Sequence, residues 1–128
     1  MFDYSLFCRS IRCIEFHALC RLGIIQAFCV FAIVEPINGL PCFNIGCAVK
    51  KEFQNRGLAK EIVEKSIAEL SNGFGRNNVK KFYIEAIVGT SNEYSQKLSV
   101  KLISSTPKQC TDSVSGLPAL SYTRLIEL

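Results

Sequence analysis

The stretch VKKEFQNRGLAKEI, residues 49–62, decides which fold the chain is expected to have. It leaves an apolar segment, passes two lysines, and continues into residues with helical spacing. Gly57 stands where that helix should begin, although glycine is a poor helix former and Ser, Thr, Asp or Asn are the usual caps. A glycine in this place indicates that something must come close to the bare backbone.

The physical chemistry of a strand-to-helix junction favours an anion there. The first N–H groups of a helix have no partner inside the helix, and they carry the positive end of its dipole. Gly57 and Ala59 are small enough for a phosphate to approach, and Arg56 and Lys60 can add positive charge. The junction therefore predicts a phosphate-bearing ligand. Spacing alone leaves the alternative open that Gly57 only relieves crowding against a neighbouring strand.

The residues before the junction predict antiparallel strands. Residues 16–22 and 24–34 are apolar and are joined at Gly23, which indicates a hairpin. Asn38-Gly39 is a strong signal for a second hairpin, with residues 42–49 as its returning strand. Gly46 within that strand suggests a bulge or a close backbone approach. Residues 2–14 fit a short helix only loosely.

After the junction the period of the apolar residues alternates between helix and strand. A helix from Leu58 is expected to end at NGFG, residues 72–75, with Gly73 as its cap. The later expected elements are a strand at 79–88, a helix at 92–103, and strands near 108–115 and 119–127. This order predicts one α/β domain, residues 1–128, with a mixed, mostly antiparallel sheet and helices packed on its faces.

Composition excludes several classes of protein. The net charge of +4 is too small to indicate nucleic-acid binding by itself. The apolar run at residues 22–34 is shorter than the ~20 residues of a membrane span, so we expect no membrane partner. A secreted or membrane peptide built around that run is a third and weaker interpretation.

The seven cysteines show no C-x-x-C pair, and His17 is the only histidine, so no metal site is expected. The cysteines at 20, 29, 42 and 47 lie in apolar runs, where cysteine behaves as a small hydrophobe. We interpret them as reduced core residues of a cytoplasmic protein.

The opening stretch resembles the acetyl-CoA-binding motif of the GNAT N-acetyltransferase superfamily, V-x-P-x-[Y/F]-[Q/R]-x-x-G-x-[G/A]. Lys51 replaces the usual proline. The order of elements is also similar from about residue 16 to the C-terminus. The matching residues are Val49, Phe53, Gln54, Gly57 and Ala59.

This resemblance implies an acetyl-CoA site. In the family, pantetheine lies in an opening between two splayed strands, where the backbones of Cys47, Ala48 and Val49 would pair with it. Asn92 matches a residue that contacts the pantetheine arm, and Ser95 matches a small residue beside it. The pyrophosphate would be held by the backbone N–H groups of Gln54, Asn55, Arg56, Gly57, Leu58 and Ala59.

Two departures from the family affect the expected chemistry. Ser99 stands where the family often has a tyrosine that protonates the departing thiolate, and serine is a poor acid. The part before residue 16 is shorter than the strand and two helices that the family commonly has there. We therefore expect a small or open acceptor groove, or a wall supplied by a second subunit in a homodimer.

The favoured function is an acetyl-CoA-dependent N-acetyltransferase that moves an acetyl group to a primary amine by direct transfer. Such a reaction needs a base, and Glu85 on a central strand is the favoured candidate. Glu35, Glu15 and Glu52 are the others. The acceptor is left open among a small amine, an aminoacyl group on RNA and a protein N-terminus. The alternative is a catalytically degenerate acyl-CoA-binding or interaction module of the same fold, which the missing tyrosine favours.

Overall fold

The backbone forms one six-stranded sheet with two helices. The computed structural model describes residues 13–128, with side chains from His17 onward. A short 3-10 turn, Lys51–Phe53, joins the first three strands to the first helix. The elements are β1 Cys13–Arg21, β2 Ile24–Ile37, β3 Leu40–Val49, α1 Leu58–Arg76, β4 Lys81–Gly89, α2 Glu93–Leu102, β5 Lys108–Thr111 and β6 Pro118–Glu127.

The strand order is β1-β2-β3-β4-β6-β5, and every neighbouring pair is antiparallel except β3 and β4. The prediction of a mixed, mostly antiparallel α/β sheet is confirmed. Apolar residues of α1 and α2 belong to one core cluster with the same face of β3 and β4. Both described helices therefore pack on one face of the sheet, as right-handed crossovers require.

Both expected hairpins are present. The turns consist of Leu22-Gly23 and Asn38-Gly39, and all four residues have φ between 51° and 76°. Positive φ at both central residues defines the type I′ turn, whose twist matches that of the flanking strands. Leu22 is 98% exposed at the first turn. The apolar run at residues 22–34 is thus half of a hairpin, and no helix within residues 13–128 is long and apolar enough to cross a membrane.

The centre of the core is aromatic. The Phe43 and Phe74 rings stack with centroids 5.0 Å apart, and the Phe82 ring meets both edge-on at 5.9 and 5.0 Å. This cluster joins β3, α1 and β4 at the end of α1 away from Gly57. It holds one end of the parallel pair closed while the opposite end is free to diverge.

The prediction that Gly73 caps α1 is wrong. The helix continues through Gly73 and Gly75 to Arg76, because Phe74 packs in the aromatic cluster. The chain leaves the helix through Asn78 at φ 59°, with Val79 N–H donating to the Phe74 carbonyl at 3.0 Å. This is a Schellman motif with asparagine in the left-handed position that glycine usually holds.

Two other expectations need correction. The bulge expected at Gly46 is wrong, because β2 and β3 stay in register from Ala27↔Val49 to Val34↔Cys42. The strand expected at 108–115 ends at Thr111, since Asp112 begins a turn by accepting from Val114 N–H at 2.8 Å.

The cysteines largely follow the prediction. Cys29, Cys42 and Cys47 are buried, but Cys20 is exposed and is not a core residue. None of the five cysteines within the described side chains forms a disulfide. The helix expected at residues 2–14 lies outside the described residues, except for Cys13 and Ile14, which begin β1.

Candidate active site

The site begins where two parallel strands separate. β3 and β4 pair only from Cys42↔Tyr83 to Asn44↔Glu85. Beyond that pair, residues 45–49 of β3 keep their ladder with β2 but have no ladder with β4. A wedge-shaped cleft therefore opens in the sheet, with Asn44 and Glu85 at its narrow end.

The junction after β3 presents backbone toward this cleft. Gly57 is the N-cap of α1 at φ 75°, in the left-handed region, and no side chain caps the helix. Asn55 is also left-handed at φ 64°. A Cβ added to Gly57 would meet nothing within 4 Å, so the space before the helix is open. The first N–H groups of α1 thus have no capping side chain, and such groups favour an anion.

Side chains hold this loop in place. The Gln54 side-chain amide donates to the Val49 carbonyl at 3.3 Å, which closes the loop against the end of β3. The Arg56 guanidinium lies 5.6 Å from the Phe53 ring centroid, within cation–π range. Lys60, which was expected to add charge, is exposed and lies 4.0 Å from Glu64.

An outer cavity of about 430 Å³ lies at the loop, and the N-termini of both helices border it. Eight of the twelve predicted site residues line it. It is lined by Ala48, Val49, Phe53, Gln54, Asn55, Leu58, Ala59, Asn92, Tyr94 and Ser95. The fold therefore brings together segments that are more than 30 residues apart in sequence, as the predicted coenzyme site requires.

Asn92 is the N-cap of α2. Its side-chain oxygen accepts from Ser95 N–H at 3.2 Å, which satisfies one of the free donors of the first turn. The Gln96 side chain secures the same corner by donating to the Gly89 and Thr90 carbonyls at 3.0 and 2.9 Å. The position of Asn92 in the cavity wall is thus fixed by the helix it begins.

An inner cavity of about 370 Å³ continues from the outer one, and the two share Asn92 and Ser95. It runs between the splayed strands and α2. Its wall includes Ile45, Gly46 and Cys47 of β3, Ala86 to Gly89 of β4, Val63 of α1, and Ser91, Leu98, Ser99, Leu102, Ile103, Asp112 and Ser115. The wall is mostly aliphatic, and its polar groups are serine hydroxyls, the Asn92 amide and the Asp112 carboxylate.

Glu85 lies at the narrow end of the cleft on the opposite face of the sheet. Along β4, Ile84 and Ala86 are buried toward the helices, whereas Glu85 is half-buried on the other side. Asn44 is 8% exposed and donates its side-chain N–H to Glu85 Oε1 at 3.3 Å. A half-buried carboxylate is therefore held by a buried amide at the last pair of the β3–β4 ladder.

The other candidate bases are elsewhere. Glu35 and Glu52 are exposed, in the last part of β2 and in the 3-10 turn. None of Glu35, Glu52 and Glu85 lines either of the two cavities. The side chain of Glu15 lies outside the described residues. Of the candidates, Glu85 alone among the described side chains lies at the end of the β3–β4 pairing.

Several residues of this site were missed by sequence reasoning. Asn44 could have been noticed as a polar residue in the otherwise apolar segment CFNIGCAV. Asp112 and Ser115 reach the inner cavity from the turn between β5 and β6, and no local signal marks them. Ser99 is buried and lines the inner cavity, whereas Tyr94 lines the outer one, so Tyr94 does not replace the missing acid.

The thiols near the cleft are poor nucleophiles. Burial raises the pKa of the Cys47 thiol to about 12. Burial, with the nearby Glu85 carboxylate as a smaller cause, raises the pKa of Cys42 to about 12 as well. Both remain protonated at neutral pH, so the cysteine beside the inner cavity packs as an apolar residue.

Comparison with known proteins supports the same fold. No protein-family model matches the sequence, and no curated protein matches it. Among solved structures, an acetyltransferase of the GNAT family from Streptococcus pneumoniae superposes with a TM-score of 0.60 at 16% identity over 84% of this chain. An N-acetyltransferase from Staphylococcus aureus gives 0.62 at 16% identity over 88%. A ribosomal-protein-alanine N-acetyltransferase from Brucella melitensis gives 0.57 at 15% identity over 85%.

The matched part covers 63%, 66% and 67% of these three proteins, so the chain spans about two thirds of their length. At such low identity the likeness concerns the arrangement of the backbone. The split between β3 and β4 and the glycine-capped helix after β3 are features of this chain itself. From both observations we conclude that the chain has the fold of the GNAT superfamily of N-acetyltransferases.

Proposed function

We propose that the protein transfers an acyl group from acetyl-CoA to a primary amine. The observation that carries this proposal is the end of the β3–β4 pairing at Asn44↔Glu85. It opens a cleft whose wide end has two helix N-termini, where a phosphate is favoured. At its narrow end is a half-buried carboxylate on the opposite face of the sheet. A coenzyme with phosphate at one end and a thioester at the other matches the two ends of this cleft.

The residues of the cleft suit the parts of the donor. The backbone N–H groups of residues 54–59 would bind the pyrophosphate, with Arg56 beside them. Cys47, Ala48 and Val49 would offer backbone groups to the pantetheine arm, which takes the place of a strand between β3 and β4. Asn92 and Ser95 lie in both cavities, where the arm would pass from one to the other.

Glu85 would serve as the general base, directly or through one water. The amine would approach from the face that carries Glu85, while the coenzyme enters from the face that carries the helices. Attack on the thioester carbonyl forms the C–N bond and breaks the C–S bond. The proton from the amine passes to Glu85, and the thiolate, with a pKa near ~8.5, can take a proton from water. Ser99 is not required as an acid in this scheme.

The second candidate function is an acyl-CoA-binding module without catalysis. The observation that favours it is Ser99, which is buried in the inner cavity and offers no acidic group to the leaving thiolate. Binding by the outer cavity is common to both functions, so only turnover distinguishes them.

A thiol-release assay tests the proposal. Acetyl-CoA is incubated with the protein and with small amines, aminoacyl compounds and peptides with a free N-terminus. Amine-dependent release of coenzyme A thiol, with acetylated product identified by mass spectrometry, supports the transferase. Tight binding of acetyl-CoA without thiol release from any amine supports the binding module.

Three expectations about the whole protein stay predictions. One of the structurally similar proteins is a ribosomal-protein-alanine N-acetyltransferase, so peptides with a free N-terminus belong in the amine panel. A homodimer is expected to complete the acceptor site, and light scattering would test it. A cytoplasmic location is expected from the free thiols, and fractionation of expressing cells would test it.

A further inference from the structure

The inner cavity changes from polar to aliphatic along α2. Asn92, Ser95, Ser99 and Leu102 follow one another on one face of the helix and line this cavity. At ~1.5 Å of rise per residue, Leu102 lies ~10 Å beyond Ser95 along the helix. The end near Asn92 therefore suits a polar group, and the end near Leu102 suits a hydrocarbon.

The facing wall is aliphatic as well. Ile45 of β3, Ala86 of β4, Val63 of α1 and Ile103 after α2 surround the inner end. The buried Ser99 lies in the middle of the α2 wall, and its small side chain leaves room between the helix and the strands. The inner cavity has a volume of about 370 Å³.

The position of the thioester follows from β3. Val49 lines the outer cavity and Ile45 the inner one, a distance of ~13 Å along an extended strand. Under the proposed function, the coenzyme arm runs inward along these residues and brings its thioester toward Glu85. The aliphatic walls around Leu102 and Ile103 then lie beside the acyl group.

We propose that the inner cavity accepts acyl chains longer than acetyl, such as butyryl and hexanoyl, and that the small Ser99 allows this. The inference rests on the proposed function, because the same cleft must bind the coenzyme. The transferred group would be a short aliphatic acyl group, and the C–N bond forms as the C–S bond breaks in the same way as for acetyl. Each additional methylene buried in the cavity should tighten binding about fourfold, until the cavity is filled.

Equilibrium binding tests the chain pocket without any catalytic step. The probes are S-ethyl-, S-butyl- and S-hexyl-CoA, thioethers that cannot transfer an acyl group, measured by calorimetry on the whole chain. We expect the Kd to fall at least tenfold from the ethyl to the butyl compound. An equal Kd for all three compounds would overturn the proposal.

Two variants change the pocket in opposite directions. Ser99→Phe fills it and should abolish the gain from ethyl to butyl, while Ile103→Ala enlarges it and should extend the gain to the hexyl compound. Val100→Phe is the matched control, since it adds the same ring at a side chain that is 46% exposed on α2. If Ser99→Phe fails to fold, Ile103→Ala still decides the question. An unchanged chain-length profile in Ile103→Ala would contradict the proposal.

The outcomes separate this inference from the proposed function. Chain-length-dependent binding without amine-dependent thiol release would support the acyl pocket and reject the transferase. Acetyl transfer with chain-independent binding would support the transferase and reject the longer acyl group.

Discussion

The Asn44 side chain donates a hydrogen bond to Glu85 Oε1 at 3.3 Å, and the same two residues form the last pair of the parallel β3–β4 ladder. One pair thus marks the narrow end of the cleft and holds its carboxylate. Asn44 is buried, so its amide would lack a partner if Glu85 moved away. An unsatisfied buried amide costs about 1–3 kcal/mol, and this cost favours the observed orientation of Glu85.

Replacing Glu85 with glutamine tests the base. Glu85→Gln keeps the size and can still accept from Asn44, but it cannot take a proton from the amine. Turnover should fall ~100-fold or more while acetyl-CoA affinity is retained. Steady-state kinetics and calorimetry provide the two measurements. Glu69→Gln, at an exposed position of α1, is the control and should keep full activity. Wild-type turnover in Glu85→Gln would exclude Glu85 as the base.

Replacing Asn44 with alanine tests whether the buried amide positions Glu85. Asn44→Ala removes the hydrogen bond and leaves the carboxylate free to rotate. We expect kcat to fall ~tenfold, which corresponds to ~1.4 kcal/mol, with little change in acetyl-CoA affinity. In the Glu85→Gln background the same substitution should have a much smaller effect. Equal effects in both backgrounds would show that Asn44 acts independently of Glu85.

Valine at Gly57 tests the phosphate loop. Gly57→Val places a branched side chain in the open space before α1, where the pyrophosphate would lie, and acetyl-CoA affinity should fall at least tenfold, or ~1.4 kcal/mol. Gly23→Val is closely matched, because Gly23 also has φ 75° and open space around it but lies in the β1–β2 turn. Both variants should lose about 1–2 kcal/mol of stability to backbone strain. Loss of affinity in Gly23→Val as well would point to strain rather than to the site.

Alanine at Asn92 should weaken both the helix and the site. Asn92→Ala removes the acceptor for Ser95 N–H, and the free energy of unfolding should fall by about 1 kcal/mol in urea denaturation. Asn92→Ser retains a capping oxygen and should recover most of that stability. Acetyl-CoA affinity that falls in both the alanine and the serine variant would show that Asn92 contacts the ligand through its amide. Affinity that is unchanged in both would remove Asn92 from the binding site.

The buried thiol of Cys47 predicts a loss of stability in alkali. Its pKa is raised from 9.0 to about 12 by burial, so the folded protein keeps a proton that the unfolded chain releases above pH 9. The contribution of this thiol to the unfolding free energy is fully present below pH 9 and is lost as the pH rises toward 12. This thiol adds up to ~1.4 kcal/mol per pH unit to the decline of the unfolding free energy. Denaturation of Cys47→Ala across this range should give a shallower decline, and an identical slope would contradict the prediction.

Much of the fold follows from local signals in the sequence. Asn38-Gly39 specifies a type I′ hairpin because both residues tolerate positive φ. Gly57 between an apolar strand and a helical pattern marks the phosphate loop, and Asn92 marks the start of α2. These signals depend on backbone preferences within a few residues, which is why they could be recognised without the structure.

Local signals failed where packing between distant residues decided the outcome. Gly73 was expected to end α1, but stacking of Phe74 on Phe43 extends the helix to Arg76, and Asn78 takes the left-handed position after it. Leu22 occupies a left-handed turn position that a propensity argument would give to asparagine or glycine. In both cases the tertiary contacts or the hairpin register outweigh a preference of about 1 kcal/mol.

The sequence by itself determined the order of the elements, the glycine loop and the alternation that places Glu85 on one face of a strand. Only the tertiary structure decided that β3 and β4 part after Asn44↔Glu85 and that Asn44 holds Glu85. It also decided that Ser99 and Leu102 line one cavity with Ile45, far away in the chain. The physical reason is that strand register and helix packing depend on the whole core, so residues 41 or more positions apart meet only when that core forms.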